Sequence, residues 1–176
     1  MSRARAVRGA STSTATARSR VKAEDAAASR ASLHVVAGAL FDAAGRILIA
    51  QRPAGKHMAG GWEFPGGKLE PDESPFSGLR RELREELGVS IHSAEPLIAY
   101  EHAYADRCVL LDLWLVTSFS GEPQSLDAQA LRWVRLDELE RVDLLEADRP
   151  MVAALRRLAT RDQSPPVASH EPQSSR

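Results

Sequence analysis

The chain has little that could staple it covalently or place it in a membrane. Its 176 residues include one cysteine, Cys108, so neither an intrachain disulfide nor a cysteine-based zinc site is available, and a reducing compartment suits it. No apolar run approaches the roughly 20 residues of a bilayer span, and no hydrophobic signal core follows the basic start. A membrane is therefore not an expected partner, and the expected location is cytoplasmic. Net charge is missing too: 23 basic and 24 acidic side chains leave −1, which gives no overall field for long nucleic acid or an anionic surface. An anionic ligand has to be held by a local site, and a monomer is expected.

What is present is concentrated in the middle. Hydrophobic residues make up 43% of the chain, enough for the core of one domain. Residues 1–32 are mostly Ala, Ser, Thr and Arg, with Arg3, Arg5, Arg8, Arg18, Arg20 and Lys22 ahead of the first acids, Glu24 and Asp25. Such a segment buries too little surface to offset its ordering entropy, so a disordered arm is expected there. An organelle transit peptide has a similar composition. Residues 161–176, with Pro165, Pro166 and Pro172, read as a second loose tail. The domain is expected over residues 33–160.

Within it the periodicities alternate. Leu33–Phe41 and Arg46–Ala50 are apolar runs separated by Asp42-Ala43-Ala44-Gly45, the pattern of a hairpin. The glycine-rich stretch Gly55–Gly67 reads as loop. Ser74-Pro75 and Gly88 bracket a helix. Leu97–Tyr100, Val109–Thr117 and Leu131–Arg135 read as strands, and Met151–Leu158 as a last helix. Strands on both sides of a long helix imply an α/β fold, a mixed sheet packed between helices.

The helix carries the chemistry. At 3.6 residues per turn Phe76, Leu79, Leu83 and Leu87 share a core face, and Glu82, Glu85 and Glu86 fall together on a neighbouring arc. Arg80, Arg81 and Arg84 are expected beyond the leucines. Like charges four residues apart, as at Glu82 and Glu86, repel by a few tenths of a kcal/mol, about 0.2–0.5. A hard divalent cation such as Mg²⁺, or Mn²⁺, accepts carboxylates and carbonyls and relieves that repulsion. A salt-bridged solvent face is the alternative for such a helix.

Gly67, five residues, Glu73, seven residues, then Arg81-Glu82-Leu83-x-Glu85-Glu86-x-Gly88-Val89 resembles the Nudix box at every specified position. Arg52, His57-Met58-Ala59, Trp62-Glu63-Phe64-Pro65-Gly66-Gly67 and Asp106-Arg107 are similar to the MutT-type branch. The resemblance spans about Leu33 to Leu158. It implies the Nudix fold, an α/β/α sandwich around a mixed sheet, and Mg²⁺-dependent hydrolysis of a small nucleoside triphosphate to monophosphate and pyrophosphate. It also implies nucleotide-pool sanitation, with 8-oxo-dGTP as substrate, or alternatively CTP or a modified pyrimidine triphosphate. A catalytically silent nucleotide-binding domain is the reading from another class.

The same resemblance distributes roles. Glu82, Glu85, Glu86 and the carbonyl of Gly66 are the implied metal ligands, with Asp127 a further candidate or a surface aspartate. Glu82 is the first choice for activating water, against Glu73 or Asp127. Glu73 and Arg81 are implied to orient the site as an ion pair. Arg52 and Arg107 are implied phosphate or sugar contacts, and His57, Glu63, Pro65 and Gly66 belong to the implied substrate wall. Phe64 packs either on a base or in the core. Asp148 stands where an asparagine reads oxidised guanine in related enzymes; its alternative is a helix N-cap before Pro150.

Overall fold

The computed structural model describes residues 33–56, 58–161 and 169–171. The arm read over residues 1–32, most of the C-terminal tail and His57 lie outside them. Within the tail, Ser169–Glu171 form a short strand.

The chain order is β1 (Leu33–Ala39), β2 (Ile47–Gln51), β3 (Trp62–Glu63), β4 (Gly66–Lys68), α1 (Pro75–Leu87), β5 (Ser90–Ala103), β6 (Cys108–Ser120), β7 (Leu131–Val134), α2 (Arg149–Arg161) and β8 (Ser169–Glu171). The larger sheet runs β4-β1-β6-β5, with β8 beside β6, and β3-β2-β7 form a second sheet. The larger sheet is mixed: β1 is parallel to β6 and antiparallel to β4.

The expected hairpin is only partly realised. The turn at Asp42–Gly45 forms, with the Asp42 amide donating to the Arg46 carbonyl at 3.0 Å, but β1 and β2 enter different sheets, joined by a single antiparallel bridge between Phe41 and Ile47. Both edges of β1 are already taken by β4 and β6. The stretch read as loop likewise contains β3 and β4, whose strand character comes from pairing with β2 and β1 rather than from their own residues.

Helix α1 matches its sequence signals. The Ser74 hydroxyl accepts the Ser77 amide at 3.2 Å, Pro75 occupies the first turn, and Gly88 closes the helix at φ 71°. Leu79, Leu83 and Leu87 are fully buried, each contributing roughly 1.5–3 kcal/mol. Phe76 is half-buried against Trp114. Ser74→Ala removes the cap alone and should cost about 1 kcal/mol of stability in denaturant unfolding, with activity preserved.

Period-2 alternation divides the larger sheet's faces. Gly38 of β1 lies under the Leu79 and Leu83 side chains of α1, whereas Val35, Ala37 and Leu111 turn to the opposite face, where they and Met151 of α2 line a common cavity. The sheet therefore lies between the two helices as an α/β/α sandwich, and the cavity takes its lining from both, Glu82 and Glu86 of α1 and Met151 of α2.

Candidate functional site

Two glycines bring the acids of α1 against β4. Gly66 sits at φ 151°, and a Cβ there would meet the Val36 carbonyl oxygen at 2.1 Å. A Cβ on Gly67 would meet the Glu82 carboxyl group at 2.3 Å. Bare backbone in both places lets β4 lie flat on β1 and lets Glu82 lie on β4.

Arg81 departs from the helical-wheel expectation. Rather than standing beyond the leucines, it organises the acids: its guanidinium donates to Glu73 at 2.8 and 3.0 Å, to Glu82 at 2.8 Å, to Glu85 at 3.5 Å and to the Lys68 carbonyl at 2.9 Å. The wheel places Arg81 one step from Glu82 and one turn from Glu85, and a long side chain bridges both separations. The Glu73 carboxyl is held below its usual range by this hydrogen bonding.

Glu86 faces inward. Burial, then the charge of Glu82, push its pKa up to about 7, while the Gly66 amide and Lys56 act in the opposite direction. Glu85 is the outer acid, its side chain 57% exposed. Among the described residues, no three His, Cys, Asp or Glu side chains converge as a finished metal cage. The donor chemistry nonetheless fits a hard divalent cation: Glu82 and Glu86 repel each other beside the half-buried backbone of Gly66, and such an ion offsets that repulsion.

Glu82, Glu86, Gly66 and Gly67 line a cavity of about 450 Å³ together with Arg52, Glu63, Phe64, Arg107 and Asp148. Its volume suits a small ligand. Its wall carries both cations and carboxylates. The Arg52 Nε donates to Glu63 at 2.6 Å, which orients the guanidinium. Burial raises the Glu63 pKa, and Arg52 opposes the rise. Arg107, on the exposed rim, pairs with its neighbour Asp106 at 3.2 Å.

Asp148 is the buried carboxylate of this wall. The Trp62 amide donates to the Asp143 carbonyl at 3.0 Å and the Leu145 amide to the Trp62 carbonyl at 2.9 Å, stitching the segment before α2 to β3. A short 3-10 turn, Glu146–Asp148, follows. The Asp148 carboxylate then accepts the Phe64 amide at 2.9 Å, across 84 residues of sequence. Burial is the main cause lifting its pKa to about 7, with Glu63 adding to the rise and the Phe64 amide and Arg52 opposing it. The folded protein thereby prefers the neutral acid, so its stability falls as pH rises from the ordinary carboxylate range through about 7.

The remaining candidates divide. Phe64 is 3% exposed in the main core cluster and Pro65 is buried; Phe64 reaches the site through its backbone amide and the cavity wall. Asp127 shares a small hollow with Gly66 and Glu86. It stands on an exposed loop, held to the end of α1 by the buried Gln129, which donates to the Glu86 carbonyl at 3.3 Å. Among the polar side chains of the wall, Lys56, Lys68 and Tyr104 escape the sequence reading. Lys56 adjoins His57 in sequence, a signal masked by the glycines around it. Tyr104 follows a strand whose inward face only pairing reveals.

The NUDIX domain family model matches residues 36–154. The CTP pyrophosphohydrolase of Escherichia coli K12 is 42% identical over 119 residues, 68% of this chain and 88% of that protein. The 8-oxo-dGTP diphosphatase of the same organism is 36% identical over 126 residues, 72% of this chain and 98% of that protein. A solved MutT structure, from work on Aliivibrio salmonicida and Vibrio cholerae, is 34% identical with a TM-score of 0.61 and covers 69% of this chain and 94% of its own.

Proposed function

Because this chain belongs to the NUDIX domain family and is a hydrolase of its MutT type, we propose that residues 33–160 form a Mg²⁺-dependent nucleoside triphosphate pyrophosphohydrolase acting on 8-oxo-dGTP. Water adds to a phosphorus of the chain, the bridging P–O bond between the α and β phosphoryl groups breaks, and 8-oxo-dGMP, pyrophosphate and a proton are the products. The observation that carries this reading is the meeting, in one cavity, of the α1 acids, the Arg52 and Arg107 cations and the buried Asp148.

Glu82, Glu86 and the Gly66 carbonyl are the groups that would hold Mg²⁺, with Glu85 at the outer edge. When bound, the ion neutralises phosphate charge, polarises phosphoryl oxygens and acidifies water. Glu82, held by the Arg81 guanidinium at 2.8 Å, receives the proton of the attacking water. Arg81 and Glu73 act as positioning residues. Arg52, fixed by Glu63, presents a guanidinium fork suited to phosphate, and Arg107 adds charge at the rim.

Asp148 is the base-reading candidate. Its Phe64 partner occupies one oxygen, and the neutral acid supplies a hydroxyl donor together with acceptor capacity. That combination answers the O6 acceptor and the N7–H donor of 8-oxoguanine. The ionised form offers acceptors only, which suits the amino group of cytosine. A second reading, hydrolysis of CTP or a modified pyrimidine triphosphate, is therefore favoured by the aspartate itself and by the similarity to the CTP enzyme.

Pyrophosphate release from a nucleotide panel, with and without Mg²⁺, ranks these substrates. Asp148→Asn should raise the kcat/KM ratio of 8-oxo-dGTP over dCTP by about tenfold, the value of a corrected buried hydrogen-bond mismatch. With the parent pKa near 7, the acid is neutral at pH 6 and charged at pH 8.5, so the gain is larger at pH 8.5. A change below about threefold at both pH values removes Asp148 as the reader of the base.

A further inference from the structure

Lys56 has no role in the scheme above, yet it connects the two loops that border the acids. It lies in the turn between β2 and β3, where its amide donates to the Pro53 carbonyl at 3.3 Å and its carbonyl accepts the Ala59 amide at 3.1 Å. Its ammonium is 3.3 Å from Oδ2 of Asp127, 71 residues further along the chain. Lys56 belongs to the wall of the main cavity with Glu82 and Glu86, and to a smaller adjoining hollow with Glu63, Glu86 and Asp127. Its positive charge favours the ionised forms of both Glu63 and Glu86. A cation is thus already in place beside the acids.

This pair is also built to open. The Lys56 and Asp127 side chains are 57% and 56% exposed, so water screens their attraction and holds the pair only loosely. Gly55, next to Lys56, has a φ of 90°, and a Cβ placed there would meet nothing within 4 Å, so that side of the turn is open space. Lysine suits this task better than arginine would, since a compact ammonium on a flexible stem makes no rigid bidentate contact.

We propose that Lys56 is the resident counter-ion of the acidic site and competes with the divalent cation for Asp127 and for the field of Glu86. In the free protein the ammonium offsets part of the carboxylate charge and weakens metal binding. A polyphosphate chain gives Lys56 another anionic partner, so metal and nucleotide then bind cooperatively. The inference rests on the metal-dependent reading above and adds an order to it: the metal is held weakly until the nucleotide arrives.

The test is nucleotide-free Mn²⁺ binding, followed by the electron paramagnetic resonance signal of the unbound ion. Parent protein should bind Mn²⁺ weakly, and Glu86→Gln should bind it more weakly still. Lys56→Met should tighten binding by about fivefold at low salt, the effect expected when one screened charge is removed. Lys56→Arg, which keeps the charge, should stay within about twofold of the parent. In an Asp127→Asn background the gain from Lys56→Met should shrink to less than about half, since the site of competition is already neutral. If the parent fails to bind Mn²⁺, the metal-dependent reading falls and this inference with it. If the parent binds and Lys56→Met leaves the affinity unchanged or lower, the metal reading stands and the counter-ion role is overturned.

Discussion

Glu82→Gln should lower kcat by about a hundredfold or more while changing nucleotide affinity only a few-fold. The substitution keeps the side-chain volume, and a glutamine oxygen can still accept the Arg81 guanidinium that now donates to Glu82 at 2.8 Å. It also still fits against the bare backbone of Gly67. What is lost is a negative ligand and a proton acceptor, and both matter most when charge develops on the phosphate chain. A kcat loss far larger than the loss of affinity marks an interaction made in the transition state. Glu70→Gln is the matched control, because the Glu70 side chain is 68% exposed and approaches Arg81 only at 3.9 Å. Both proteins should melt near the parent temperature. A kcat decrease below about tenfold, about 1.4 kcal/mol of barrier, would remove Glu82 from the chemistry.

Gly66→Ala should be the most damaging single-methyl change in the described domain. The new Cβ would lie 2.1 Å from the Val36 carbonyl oxygen and 2.7 Å from the Ala37 Cα. Both are backbone atoms of β1, which is paired on either edge, so neither moves without breaking sheet hydrogen bonds. The φ of 151° adds strain for any residue with a side chain. The expected cost is about 3–5 kcal/mol, the range of severe core disruptions, seen as a melting temperature about 10 °C or more below the parent or as failure to accumulate folded protein. Gly60→Ala separates the two causes. Gly60 has a positive φ of 86°, but a Cβ placed there would meet nothing within 4 Å, so it should lose only the conformational part, about 1 kcal/mol. Equal losses in the two variants would show that close packing of β4 on β1 is not what requires glycine at position 66.

The elements that could be read from the chain are those whose determinants are local. Ser74, Pro75 and Gly88 delimit α1 because capping depends on residues one to four positions apart, and the leucine stripe gives its buried face by helical spacing alone. The grouping of Glu82, Glu85 and Glu86 with the glycines before them, and hence the resemblance to the Nudix box, is a property of one contiguous stretch. That stretch determined the family and the chemistry of the acids. It also left Arg81 on the wrong side, because a wheel places Cα positions while a guanidinium reaches across a full turn to Glu73, Glu82 and Glu85.

Tertiary structure decided whatever depends on which strands meet. β1 and β2 look like partners in sequence but enter separate sheets. Both are apolar on both faces, and alternation cannot choose a neighbour for a doubly buried strand. β3 and β4 are strands only because β2 and β1 pair with them; Gly66 and Gly67 have no intrinsic preference for extended backbone. The meeting of Asp148 with Phe64, and of Lys56 with Asp127, comes from residues 84 and 71 positions apart. By itself the sequence determined an acidic helix, the glycines that precede it and the family they mark. The cavity wall, the buried environment that lifts Asp148 to about 7 and the cation beside the acids exist only after folding, because desolvation and charge proximity depend on distance in space rather than along the chain.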